Sequence, residues 1–161
     1  MNAGAASMDI EKMTASHERI AQIVDRCVAQ SALSQSLCGL AHLRVSQING
    51  CDARMDAHFL SLLGAGIAIE KLALVSDWRD AGTGLTPRER AALAWAEALL
   101  ATGEARAAHA QYQEVVAVLE HDELVALSLS IALENARSQQ AVAGLRGQAA
   151  DTGTTNERAP T

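Results

Sequence analysis

Apolar positions recur every three or four residues along most of the chain, and no run of alternating β-branched or aromatic residues interrupts them. That pattern predicts an all-α domain with short connections. The first helix is expected over about Ser16 to Gln30, with Ile20, Ile23, Val24, Cys27 and Val28 turned inward and Cys27 as core filling. A second runs from a Ser34 N-cap to Ile48, with Leu37, Leu40, Ala41 and Ile48 on one face. Asn49-Gly50 is a strong turn dipeptide, and the third helix opens at about Cys51 and continues to Leu63, with Gly64 and Gly66 as its stop. A fourth is expected over about Ala68 to Asp80, presenting Leu74, Val75 and Trp78. Thr86-Pro87-Arg88-Glu89 combines a capping box with proline at the first helical position, which starts a fifth helix reaching about Ala101, stopped by Gly103, with Leu93, Ala96, Leu99 and Leu100 apolar. Glu104 to Leu119 form a sixth around Tyr112, Val115 and Val116. Asp122 to Leu145 form the last, with Leu124, Leu127, Ile131 and Asn135 on one side.

At 161 residues and 49% hydrophobic content the chain is long enough for one core. It divides into a flexible N-terminus at 1–13, a helical domain at 14–147 and a disordered tail at 148–161. Aromatic residues make up only 2%, so Leu, Ile, Val and Ala fill that core, and burial against a second copy is favoured. The net charge of −6 is spread without a Lys/Arg run, which argues against nucleic acid or an anionic membrane as partner. No segment approaches the roughly 18 apolar residues of a membrane span, and the N-terminus lacks the design of a secretory signal, so the expected location is the cytoplasm. Cys27, Cys38 and Cys51 contain no CxxC and cannot all pair, so they are expected as thiols.

The chemistry concentrates between Arg44 and His58, RVSQINGCDARMDAH. On a helix opening at Cys51, about 100° per residue places Cys51, Met55, His58 and Leu62 on one line with Arg54 beside it. A helix start and a neighbouring guanidinium both favour a thiolate, which makes Cys51 a candidate reactive thiol; the alternative is a small packed residue. His58 is a candidate proton carrier or a polar residue at a subunit contact. Arg54 is suited to a substrate carboxylate, or to pairing with Asp52 or Asp56. Cys38 and His42 have the i, i+4 spacing of two metal ligands on a helix, and Cys51 and His58 would complete four, but nothing in the sequence fixes the register, and neither metal nor cofactor is expected. Glu89 is accounted for by its cap and Glu97 by an exposed face, whereas Glu134 and Asn135 in an apolar segment point to a site or, preferably, an interface.

From Leu33 to Leu145 the chain resembles the AhpD-like alkylhydroperoxidase and carboxymuconolactone decarboxylase family. The resemblance lies in LRVSQINGC at Leu43 to Cys51, in DWRD with LTPRERAALAWAEAL at Leu85 to Leu99, and in DELVALSLSIALENA at Asp122 to Ala136. It implies an all-helical fold assembling as a homo-oligomer, a trimer or hexamer, with the site between helices. In the peroxidase branch a CxxC pair reduces peroxides, with a histidine four residues after the second cysteine and a glutamate one helix earlier relaying protons. Cys51 matches the first, resolving cysteine and His58 the histidine, while the attacking cysteine falls at Arg54 and the glutamate at Gly39. The resemblance therefore implies thiol-peroxidase descent with at most one-cysteine redox activity through Cys51, and Cys51, His58 and Arg54 as site residues. A non-catalytic oligomeric binding or assembly protein, and a non-redox enzyme for a small carboxylated substrate, stay open beside it.

Overall fold

The structure, a computed structural model, describes residues 3–101 and 105–154, with side chains described for 16–101 and 109–145. Seven α-helices are present among them: α1 (Ala3–Gln30), α2 (Gln35–Asn49), α3 (Asp52–Gly64), α4 (Ile69–Ala73), α5 (Pro87–Leu100), α6 (Ala105–Val116) and α7 (His121–Thr154). No strand occurs among the described residues, as the periodicity predicts. Helix α1 begins well before Ser16 and α7 continues into the expected tail; positions 1–2, 155–161 and Gly103 lie outside the described residues.

Helix α2 is the element around which the others pack, in contact with α3, α5 and α7. It manages this because it is buried on more than one side. Leu37, Cys38, Ala41 and Val45 join α5, α6 and α7 residues such as Ala92, Val115, Leu127 and Ile131 in one core. Leu40 and Leu43 join Leu62, Leu72, Val75, Trp78 and Leu93 in a second. Complete burial of a leucine is worth about 1.5–3 kcal/mol, so Leu40, fully buried, anchors α2 in the second core while Ala41 and Val45, also fully buried, anchor it in the first. Ile48, expected inward, is instead 43% exposed.

Caps fix where helices start. Ser34 Oγ accepts from Leu37 N at 3.1 Å, as the sequence predicts. The Thr86–Glu89 capping box is complete, with Pro87 inside it. Gly50 closes α2 in the left-handed region at φ +62, which only glycine adopts without strain, and this delivers Cys51 to the start of α3. Two expectations need correction. The fourth helix is five residues long, followed by turns and a short 3-10 segment at Trp78–Asp80. Its buried residues Leu72, Val75 and Trp78 are three apart, a spacing that a 3-10 coil aligns and an α-helix does not, and Leu74 and Val75 donate to carbonyls three residues back. On α1 the packed face is Ala21 and Val24 against Leu133 of α7, while Ile20, Ile23 and Cys27 are exposed. Cys27 is therefore no core filler.

Candidate functional site

Helices α2, α3 and α7 converge on one carboxylate. Glu134 of α7 is 1% exposed. Both edges of its carboxylate face the Arg54 guanidinium, with Nε on Oε1 and Nη2 on Oε2. Ser46 Oγ and Ser138 Oγ donate to Oε1 at 3.1 and 3.0 Å. His58 Nε2 lies 3.0 Å from the same oxygen but off the line an N–H···O bond needs, and this buried nitrogen has no hydrogen-bond partner among the described residues. Burial pushes the Glu134 carboxyl up, but the His58 ring and the Arg54 guanidinium outweigh it and bring it down to about 2. A buried, ionised carboxylate sits at the centre of the bundle.

Above it lies a run of donors. The His42 and His58 rings are 5.3 Å apart, and the donor atoms of His42, His58 and Glu134 all fall within 4.8 Å of one another. His42 Nε2 approaches Cys38 Sγ at 3.4 Å, and Cys38 Sγ also meets Ser130 Oγ at 3.2 Å. Burial drives the His42 imidazole down to about 4, against the opposing pull of Glu134, so it is neutral at pH 7. Burial raises the Cys38 thiol, with the Ser130 hydroxyl working against it and the Asp25 and Glu134 carboxylates adding to it. At rest this is a neutral thiol beside a neutral imidazole.

These groups border a cavity of about 350 Å³, lined by Asp25 and Val28 of α1, Cys38 and His42 of α2, His58 of α3 and Ser130 of α7. Gly39 belongs to the same wall, and a Cβ there would stand 2.8 Å from Leu62 Cδ2. The volume suits a small molecule, at the low end of ligand pockets.

Of the residues singled out from sequence, His58 and Arg54 meet at Glu134, while Cys51 does not line this cavity. Cys51 is 1% exposed and forms the N-cap of α3, its carbonyl accepting from Arg54 N and Met55 N. Arg54 pairs with Glu134 rather than Asp52 or Asp56. The four-residue ligand grouping changes accordingly: His42 and His58 come together with Glu134 in the place foreseen for Cys51, and Cys38 stands beside His42. Glu134 belongs to the site and not to an interface, and Asn135 beside it accepts from Asn49 Nδ2 at 2.9 Å. Glu97 is not a residue of an open face: it receives Arg44 Nε at 2.8 Å and Trp78 Nε1 at 2.9 Å and pairs with Arg79. The spacing of Ser46 and Ser138 carries no signal in the sequence, because only the α2–α7 crossing makes them neighbours of Glu134.

The comparisons with known proteins agree with this architecture. No curated protein sequence matches the chain. Among solved structures, a protein of unknown function from Agrobacterium tumefaciens, described as a putative antioxidant defence protein AhpD, superposes with a TM-score of 0.73 at 25% identity, covering 100% of this chain and 97% of its own. The sequence profile of the carboxymuconolactone decarboxylase family matches residues 15–98, just over half the chain and the segment holding Cys38, His42, Cys51, Arg54 and His58. With its all-helical fold, the chain belongs to the carboxymuconolactone decarboxylase family.

Proposed function

We propose that this protein reduces small hydroperoxides with one thiol, that of Cys38, in a site where the dithiol pair expected from the family is absent. One observation carries the proposal: Cys38 Sγ lines the cavity 3.4 Å from His42 Nε2, nucleophile and base within reach of each other. It moves the reactive thiol from Cys51, which is buried away from that cavity, to Cys38 one helix earlier. The Agrobacterium neighbour's description as an antioxidant protein supports the same chemistry.

The steps balance as follows. Cys38 passes its proton to His42, whose imidazolium is stabilised by the charge of Glu134. The thiolate attacks one oxygen of a peroxide ROOH, an S–O bond forms, the O–O bond breaks, and the leaving alkoxide takes the proton from His42. Cys38 becomes a sulfenic acid and the peroxide an alcohol. A low-molecular-weight thiol then displaces water from the sulfur, giving a mixed disulfide, and a second thiol releases Cys38 with formation of an external disulfide. His58 takes the part of a relay between His42 and Glu134. Arg54 is a positioning residue that holds Glu134 ionised in place.

The compartment that supplies such thiols is the cytoplasm, and three free cysteines suit it. No helix among the described residues is long and apolar enough to cross a membrane. The working form we propose is a homo-oligomer, a trimer or hexamer, supported by the exposed Ile20 and Ile23 of α1.

The test is to expose the protein to a hydroperoxide with a sulfenate-trapping dione and locate the adduct by mass spectrometry. The expected adduct is on Cys38, lost in Cys38→Ser and kept in Cys51→Ser. An adduct on Cys51 alone, or none at all, overturns the proposal.

A further inference from the structure

We infer that Cys38, His42, His58 and Glu134 together form a binding site for a divalent zinc-class ion, and that the ion, when bound, takes the Cys38 thiol out of peroxide chemistry. The regulatory half rests on the proposed role of Cys38, whereas the binding half stands without it.

The spacing is that of ligands around a tetrahedral ion. Zinc bonds of about 2.3 Å to sulfur and about 2.0–2.1 Å to imidazole, opened to the tetrahedral angle, separate the two donor atoms by about 3.5 Å. Cys38 Sγ and His42 Nε2 are 3.4 Å apart. His42 links this pair to His58 and Glu134: donor atoms of those three lie mutually within 4.8 Å, and Cys38 joins them through its contact with His42. The four come from three helices, so the site is clamped by the packing of α2 against α3 and α7.

An independent observation points to the same place. Among the described residues the buried His58 Nε2 has no hydrogen-bond partner of good geometry, although it lies 3.0 Å from Glu134 Oε1. A buried nitrogen without a well-aligned partner costs about 1–3 kcal/mol, and a cation seated between it and Glu134 Oε1 would satisfy both. Glu134 Oε1 is the oxygen that faces His58; it also receives Arg54 Nε, Ser46 Oγ and Ser138 Oγ, so ligation through it displaces one or more of these donors while Arg54 Nη2 keeps Oε2. The Cys38 proton leaves on binding, and thiolate and carboxylate then supply two negative charges against the two of the ion. A thiolate with two imidazoles selects a borderline-soft ion over magnesium or calcium, which favour oxygen donors.

The experiment uses the full chain, stripped with a chelator, titrated with Zn²⁺ by calorimetry and with Co²⁺ by visible spectroscopy. Expected are one ion per chain, a thiolate-to-cobalt charge-transfer band, and intense d–d bands of a four-coordinate ion. Cys38→Ser should abolish the charge-transfer band and Cys51→Ser should keep it. His58→Gln should weaken Zn²⁺ binding by at least about 100-fold, the upper end of what a change outside the ligand shell costs. Should His58→Gln not fold, the cobalt spectra of the wild type and of Cys38→Ser decide, because a charge-transfer band that survives in Cys38→Ser, or an octahedral wild-type spectrum, overturns the site. The two ideas separate in the peroxide assay. A stripped protein that forms the Cys38 sulfenate but binds no Zn²⁺ overturns the metal site and leaves the peroxidase. A protein that binds Zn²⁺ through Cys38 yet forms no sulfenate when stripped keeps the site and overturns the peroxidase, and with it the regulation. If both occur, saturating Zn²⁺ must suppress the sulfenate; unchanged oxidation overturns the regulatory half.

Discussion

Glu134 is the residue on which the stability of the centre turns, because a fully buried carboxylate survives only while its partners do. Removing Arg54 leaves that charge uncompensated, and breaking a buried pair from one side costs about 3–5 kcal/mol. Arg54→Ala is therefore expected to lower the unfolding free energy by that much, read as a fall in the urea midpoint at an unchanged m-value; a loss below about 1 kcal/mol, the scale of an exposed pair, contradicts the pairing. Arg54→Cys, which writes a CxxC into the sequence, carries the same loss and should fail to gain dithiol-driven peroxide turnover. The two strongly shifted groups also set an acid limit. His42 is lowered to about 4 from an ordinary value of 6.5, so between these pH values the unfolded chain binds the extra proton and stability falls as pH drops. Glu134, lowered to about 2, stabilises the fold above the unfolded glutamate range near pH 4.5, and that contribution is lost as pH falls from there towards 2. Melting temperatures should be level above pH 7, decline from about pH 6.5 and fall more steeply below 4.5. In His42→Gln the first decline should vanish and the second remain.

At the level of the helices, what the sequence reveals is what is local. The Thr86–Glu89 box, the Ser34 cap and the Gly50 turn use neighbours within four residues, so each is readable without the fold. Which face a helix buries is not local. On α1, Ile20 and Ile23 are the more apolar choice, yet α7 meets Ala21 and Val24. The centre was legible only in part for the same reason. Cys38 with His42 and Arg54 with His58 are each pairs four apart on one helix. The carboxylate that joins them comes from a position 80 residues beyond Arg54, which no spacing rule reaches. Gly39 is where the crossing of two helices constrains one residue most. Alanine there gains up to about 1 kcal/mol of helix propensity, but its Cβ would sit 2.8 Å from Leu62 Cδ2 and 3.3 Å from Cγ, in a leucine that is 4% exposed and packed. Overpacking typically costs about 1–3 kcal/mol, so Gly39→Ala should destabilise on balance. In a Leu62→Ala background the same change should stabilise, and a double-mutant cycle that shows additivity would remove the steric explanation.

For the whole molecule the question is what covers α1. Its outer line carries Ile20 at 57% and Ile23 at 52% exposure, with Cys27 one turn further, while its inner line supplies the smaller Ala21, Val24 and Val28 to the core. A helix that gives its isoleucines to solvent and its alanine to the interior is oriented as if the larger burial lay outside the chain. Full burial of two isoleucines contributes about 1.5–3 kcal/mol each, enough to anchor a subunit contact once an interface of at least about 1,000 Å² forms around them. The sparse aromatic content, 2% of the chain, leaves few other large side chains to do this. Because α1 also supplies Asp25 and Val28 to the cavity wall, a contact on its outer face would steady that wall from behind. Replacing both residues, Ile20→Glu with Ile23→Glu, is expected to convert the homo-oligomer we propose to monomers in sedimentation velocity while leaving the far-ultraviolet circular dichroism unchanged. The substitution places charge on a surface the isolated chain already exposes, so it should cost the monomer fold little. The peroxide reaction proposed for Cys38 should slow in the monomer as α1 loosens over the cavity. A double variant that sediments as the wild type does would show that subunits meet elsewhere or not at all.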